Sequence, residues 1–194
     1  MTFEKLTRIL SRIDEINTQD PNLETYEGKS YPKEILYSQR MTEMLHEFVA
    51  YPSGALQIAA RGQHIQRWAI PRSDYPMDRK GYMKWRTVLK AYHSELLGEI
   101  MENEEVGEEL IDHVKTLISK RKLKTDPESK TLEDVVCLVF LKYYFVEFAA
   151  KHPKEKVIDI VQKTWAKMTE EGHTAALRLP FGEKELTLVK EALA

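Results

Sequence analysis

Apolar residues recur every three to four positions along most of this chain, which is the spacing of amphipathic helices. Phe3, Leu6, Leu10, Ile13 and Ile16 mark a first helix, and the polar stretch Asn17 to Asn22, with Pro21, stops it. A polar link leads to Pro32, which suits the first turn of a second helix lined by Ile35, Leu36, Met41, Met44, Leu45 and Phe48. Pro52-Ser53-Gly54 breaks that helix, and Ser53 is placed to cap a third, about 54–68, that carries Leu56, Ile58, Ala59, Ala60 and then His64. Residues 70–81 hold two prolines and no period, and are expected to form a loop.

A fourth helix, about 82–103, follows through Trp85, Val88, Leu89, Tyr92, His93, Leu96 and Ile100, and a fifth, about 106–120, through Leu110, Val114, Leu117 and Ile118. After the polar link with Asp126-Pro127, Thr131 to Ala150 is apolar nearly all round, as a helix buried within a bundle is. The β-branched run Val135 to Phe140 admits a strand, but the length of the whole apolar segment argues for helix. His152-Pro153 ends it, a helix of about 154–170 follows, and a short one near 183–193 closes the chain. There is no hairpin signal, repeat or low-complexity tract. The expected fold is all-α, one domain over 1–194, with about seven to nine helices.

Composition narrows the function classes. At 194 residues, with 42% hydrophobic and 31% charged positions, the chain can bury a core without staples. A net charge of −2 provides no global attraction to nucleic acid or anionic membrane, so an RNA-associated role would need a local patch. The single cysteine, Cys137, rules out an intrachain disulfide and fits a reducing compartment. The opening Met-Thr-Phe-Glu-Lys-Leu-Thr-Arg-Ile-Leu mixes acid and base into its apolar positions, unlike a secretory signal. The longest apolar run, Val135 to Leu141, is far short of a membrane span. A cytoplasmic protein without membrane contact is expected.

Candidate chemistry gathers in three helical segments. His64 follows Ala-Ala-Arg-Gly-Gln, His93 lies in Tyr-His-Ser-Glu-Leu-Leu, and Glu133-Asp134 opens the most apolar helix. Ionisable groups on buried faces are costly unless paired or bound to metal. Two imidazoles and a carboxylate are natural ligands for a divalent ion, and drawn from three helices they leave coordination positions open for water or phosphate. The plainer alternative is that each histidine donates to a carbonyl across the bundle while Asp134 pairs with Arg61 or Arg67. Next to this set, residues 66–86 interleave Arg67, Arg72, Arg79, Lys80 and Arg86 with Trp68, Tyr75, Tyr82 and Trp85. Guanidinium forks bind phosphate bidentately and aromatic faces stack on bases or on arginine. A loop pinned by aromatic anchors, its arginines paired with Asp74 and Asp78, would look the same in sequence. The basic run Lys120 to Lys124 complements a helix dipole, and would also reach a phosphate if it folded over the site.

The blocks Ala-Ala-Arg-Gly-Gln-His-Ile-Gln-Arg-Trp-Ala-Ile-Pro-Arg, Arg-Lys-Gly-Tyr-Met-Lys-Trp-Arg, Leu-Glu-Asp-Val-Val-Cys-Leu-Val-Phe-Leu and Lys-Thr-Trp-Ala-Lys-Met-Thr resemble the family called domain of unknown function 4202, over nearly the whole chain. More distantly, the chain is similar to the HD superfamily of metal-dependent phosphohydrolases, an all-helical group that uses a histidine, a His-Asp pair and a later aspartate. Tyr37 stands where that pattern has its first histidine, Gln63-His64 stand for the His-Asp pair, His93 matches an additional histidine of some members, and Glu133-Asp134 match the later aspartate. The likeness implies an HD-like helical bundle that hydrolyses a phosphorylated small molecule or nucleotide. In that reading a divalent metal sits on His64, His93 and Asp134, Glu133 accepts a proton or supports the site, and Arg67, Arg72, Arg79 and Arg86 hold the phosphate. Because Tyr37 and Gln63 replace histidines, the metal site is either rebuilt around those three residues or lost. If it is lost, a metal-free binding module for a nucleotide or anionic metabolite remains. A protein-interaction or RNA scaffold on the Trp68–Trp85 surface is the third expectation.

Overall fold

Side-chain caps set where half of the helices begin. In a computed structural model describing residues 1–193, the side chains of Thr2, Ser53, Asp78, Asp126 and Thr169 accept from the backbone N–H of Lys5, Leu56, Gly81, Ser129 and Gly172. Each satisfies one of the donors that a helix leaves unpaired in its first turn. The described residues are all-α apart from one small antiparallel hairpin, with ten α-helices. They form two compact units, 1–125 and 126–194.

The first unit holds α1 (Phe3–Asn17), the hairpin β1 (Leu23–Tyr26) and β2 (Lys29–Pro32), α2 (Lys33–Phe48), α3 (Gly54–Arg61), α4 (Arg79–Asn103) and α5 (Glu108–Ser119). The core is built from Ile9 and Ile13 of α1, Met41 and Leu45 of α2, Ile58 of α3, Ile65, Leu97 and Met101 of α4, and Leu117 and Ile118 of α5, all essentially sealed from water. α4 packs on α5, and α3 packs on α1, α2 and α5. The expected stripe of α1 is shifted: Phe3 is 84% exposed, while Ile9, Ile13 and Asn17 are buried.

The second unit holds α6 (Pro127–Val139), α7 (Phe145–Lys151), α8 (Lys154–Trp165), α9 (Glu170–Ala176) and α10 (Glu183–Leu193). Leu132, Val135, Val139 and Phe145 form its interior. α10 packs on α8 and α7, and α9 packs on α6.

Four expectations change. The link before Pro32 is a hairpin, because Glu27 and Gly28 both take positive φ (50° and 76°), the conformation of a tight two-residue turn. The third helix stops at Arg61 rather than continuing to 68, so His64 is not on a helical face shared with Ala60. At Gly62 the chain runs against Leu97, and a Cβ there would lie 2.6 Å from a Leu97 methyl. The 70–81 loop contains a 3-10 turn, Arg72–Asp74, and gives way to α4 at Arg79, earlier than expected because Asp78 caps it. The helix expected over 131–150 is α6 and α7 joined through a π-helical turn, Phe140–Tyr144. No described helix is long and apolar enough to cross a membrane.

Candidate functional site

The hairpin and the α3–α4 connection deliver polar side chains to the interior of the first unit. Glu34 lies in the first turn of α2, where its N–H donates to Asp20 Oδ2 at 3.0 Å, and the residue is only 6% exposed. Tyr37, one turn on, stacks flat on the His64 ring, with centroids 4.1 Å apart and planes 12° apart. Glu34 Oε2 lies 3.3 Å from His64 Nδ1. On the other side, Arg67 Nη1 approaches the two ring nitrogens of His64 at 3.1 and 2.9 Å. Arg67 can only donate, so the ring nitrogen that pairs with it accepts; with Nε2 as that acceptor, Nδ1–H is left to donate to Glu34.

His93, on α4, is the second imidazole, with its ring centroid 6.2 Å from that of His64. It is 2% exposed, it bonds to the Gln63 backbone, and its Nε2 has no hydrogen-bond partner. The bond to Gln63 is therefore made through Nδ1–H, and Nε2 presents a bare lone pair.

The backbone that places these groups is held in a conformation few residues adopt. Gln66, between His64 and Arg67, has φ 49° and ψ 36°. Its N–H donates to Oδ1 of the fully buried Asn17 at 3.0 Å, and Asn17 Nδ2 donates to Ser38 Oγ at 2.8 Å. Tyr92 O–H donates to the Gln66 side chain. Arg67 lies over the Trp85 ring at 4.8 Å, and the Trp85 indole N–H donates to the Ile70 carbonyl at 2.8 Å.

The site is positive. Burial holds the His64 imidazole well below its ordinary pKa, and the charges of Arg67, Lys120, Arg86 and Lys33 push the same way. Burial, then His64 and Arg67, lowers His93 to about 3. Glu34 is raised by burial, against the pull of Arg67, Lys33 and His93. Both imidazoles are thus neutral at pH 7, in a field of four cations and one buried acid.

Of the residues expected from the sequence, His64, His93 and Arg67 belong to this cluster, and Arg86, which lies by the Tyr82 ring, acts on His64 through its charge. Arg72 is spent elsewhere: its guanidinium donates to the carbonyls of Tyr75 and Pro76, at 2.9 and 2.7 Å, and staples the loop. Arg79 is exposed at the start of α4. Glu133 and Asp134 belong to the second unit. The Asp134 carboxylate, 1% exposed, accepts from Thr169 N at 2.8 Å and Thr169 Oγ1 at 2.7 Å, and so fastens the start of α9 to α6. Burial raises its pKa, and the two Thr169 bonds oppose that rise. Gly172 is obligatory beside it, since a Cβ there would fall 2.3 Å from Asp134 Oδ1. Glu133 is buried, with Lys167 at 4.0 Å. Arg61 forms a two-pronged pair with Asp14.

A divalent ion does not fit the described residues. No three His, Cys, Asp or Glu side chains among them come together as a metal cage. A guanidinium already occupies the side of His64 on which an ion would sit. The expected set of His64, His93 and Asp134 thus has one imidazole engaged by Arg67 and its carboxylate engaged by Thr169. Glu34, Asn17, Gln66 and Tyr92 escaped sequence reasoning. Glu34 follows Pro32-Lys33, where an acid is expected simply to complement the helix dipole, and nothing local marks it as buried.

The family model described as Domain of unknown function (DUF4202) matches residues 7–189. No curated protein and no solved structure matches the chain.

Proposed function

The chain belongs to that family, and from this premise we propose that its first unit binds a phosphorylated small molecule at the Glu34–His64–His93 cluster. One observation carries the reading: the Arg67 guanidinium lies 2.9–3.1 Å from the nitrogens of the half-buried His64 ring, where the charges of Lys120, Arg86 and Lys33 are also felt, and the buried His93 ring stands 6.2 Å away. A cluster of cations favours a multiply charged anion, and the guanidinium fork of Arg67 suits phosphate oxygens. The proposal requires no resident ion.

Thermal shift and calorimetry with inorganic phosphate, pyrophosphate, nucleotides and sugar phosphates test it, each with and without magnesium or manganese. The expected outcome is a saturable rise in Tm that shrinks with salt and is lost in Arg67→Ala. A ligand at 100 times its Kd would stabilise the fold by about 2.7 kcal/mol. Absence of a shift with every phosphate compound, or full binding by Arg67→Ala, would refute the proposal.

The Glu34–His64 contact favours a second reading, hydrolysis of the bound phosphate ester. Glu34 would orient the imidazole and stabilise its charged form while His64 Nε2, freed from Arg67 by the arriving phosphate, takes a proton from water. Release of inorganic phosphate in the same panel, abolished by His64→Asn and strongly reduced by Glu34→Gln, distinguishes an enzyme from a binding module. A turnover that appears only with divalent ions would favour the HD-like version of this reading.

A further inference from the structure

Two buried acceptors beside the cluster have no donor: His93 Nε2 and Gln63 Oε1. They belong to one local arrangement, since the backbone of Gln63 also accepts the Nδ1–H of His93. Gln63 is 8% exposed and His93 is 2% exposed, so bulk water does not satisfy them. A buried acceptor without a donor costs about 1–3 kcal/mol, and few native groups carry that cost without a role. The neighbouring charges do not supply the missing hydrogen. Arg67 is placed against His64 and Trp85, and burial, with His64 and Arg67 acting the same way, keeps the His93 ring from taking up a proton of its own.

We propose that the occupant of this site is a phosphate ester of a hydroxylated sugar, with its phosphate at Arg67 beside His64 and two free sugar hydroxyls, one donating to His93 Nε2 and the other to Gln63 Oε1. The inference rests on the phosphate-binding reading and deepens it. The dianionic phosphoryl group of an ester only accepts and leaves both atoms unsatisfied, whereas each sugar O–H on the same molecule supplies one donor. The spacing suits this: the two imidazole rings are 6.2 Å apart, centroid to centroid, comparable to the reach from a phosphate to a neighbouring sugar hydroxyl. A site built to hydrogen-bond a hydroxyl strongly rejects the analogue that lacks it.

The test uses the full-length protein and paired ligands: ribose 5-phosphate against its 2-deoxy analogue, and adenosine monophosphate against its 2′-deoxy and 3′-deoxy forms, with inorganic phosphate as reference. The sugar phosphate pair and the nucleotide pairs show which source of the shared chemistry binds. In at least one pair the hydroxylated ester is expected to bind about tenfold or more tightly than its deoxy partner. Gln63→Met, which keeps the side-chain length and removes the acceptor, is expected to weaken that preference while leaving the response to inorganic phosphate. Equal binding of every deoxy analogue to the wild type overturns this inference and leaves phosphate binding intact. No response to any phosphate compound overturns the underlying reading, and this inference with it.

Discussion

His93 shows how strongly a single buried side chain couples this fold to pH. Its pKa is lowered from 6.5 to about 3, so the unfolded chain binds a proton in that window that the folded chain refuses. The stability tied to the neutral ring is fully present above pH 6.5 and is lost as pH falls toward 3, with a slope of about 1.4 kcal/mol per pH unit. His64, lowered for the same reason, adds to the loss. Glu34 acts in the opposite sense: its raised pKa lets the folded state hold a proton that the unfolded state has released, a contribution lost as pH rises through the folded value. Urea unfolding of wild type and His93→Gln at a series of pH values is expected to give a flatter acid limb for the variant. An unchanged slope below pH 6.5 would contradict the account. Gln66 is the other decisive residue. Its left-handed backbone costs about 1 kcal/mol or more, and it is retained where Asn17 holds its N–H, directly between the two residues that meet the proposed phosphate.

At the scale of elements, α4 carries more of the site than any other segment, through Trp85, Arg86, Tyr92 and His93. Its start is fixed where Gly81 passes the Pro76 carbonyl so closely that a Cβ would lie 2.0 Å from that oxygen. Neither partner is a flexible side chain tip, so Gly81→Ala must shift backbone. Chemical denaturation is expected to show a loss of about 1–3 kcal/mol, together with a weaker response to phosphate compounds, since Arg72 staples the same loop to the same carbonyl. In the second unit the corresponding fastening is Asp134 on Thr169. There a buried carboxylate serves the start of a short helix, which explains an acid in an apolar segment without assigning it chemistry.

At the scale of the whole molecule, the first unit contains its own core, its own hairpin and every residue of the proposed site. The stretch Arg121 to Thr125 joins it to the second unit. A fragment of residues 1–125 is therefore expected to unfold cooperatively and to keep the phosphate-induced rise in Tm, measured by circular dichroism against the full chain. Loss of cooperative unfolding in the fragment would show that the first unit depends on the second for its stability.

The helical class, the cap at Ser53 and the ends at Asn17 and His152 were legible from the sequence, because periodicity and capping are local physics written in neighbouring residues, whereas the stretch through Asp126-Pro127 reads as a link and in fact caps and begins α6. Also legible was the nearness of the two imidazoles, with Arg67 beside them, since ionisable groups next to apolar runs stand out wherever they fold. The hairpin turn was not, because Glu-Gly lacks the asparagine or aspartate that usually announces it. Nor were the employments of Asp134 and Glu34, which depend on partners 35 and 30 residues away. Which carboxylate meets which imidazole is settled by long-range packing, and only the tertiary structure decides that His64 sits between an acid, a guanidinium and a tyrosine ring.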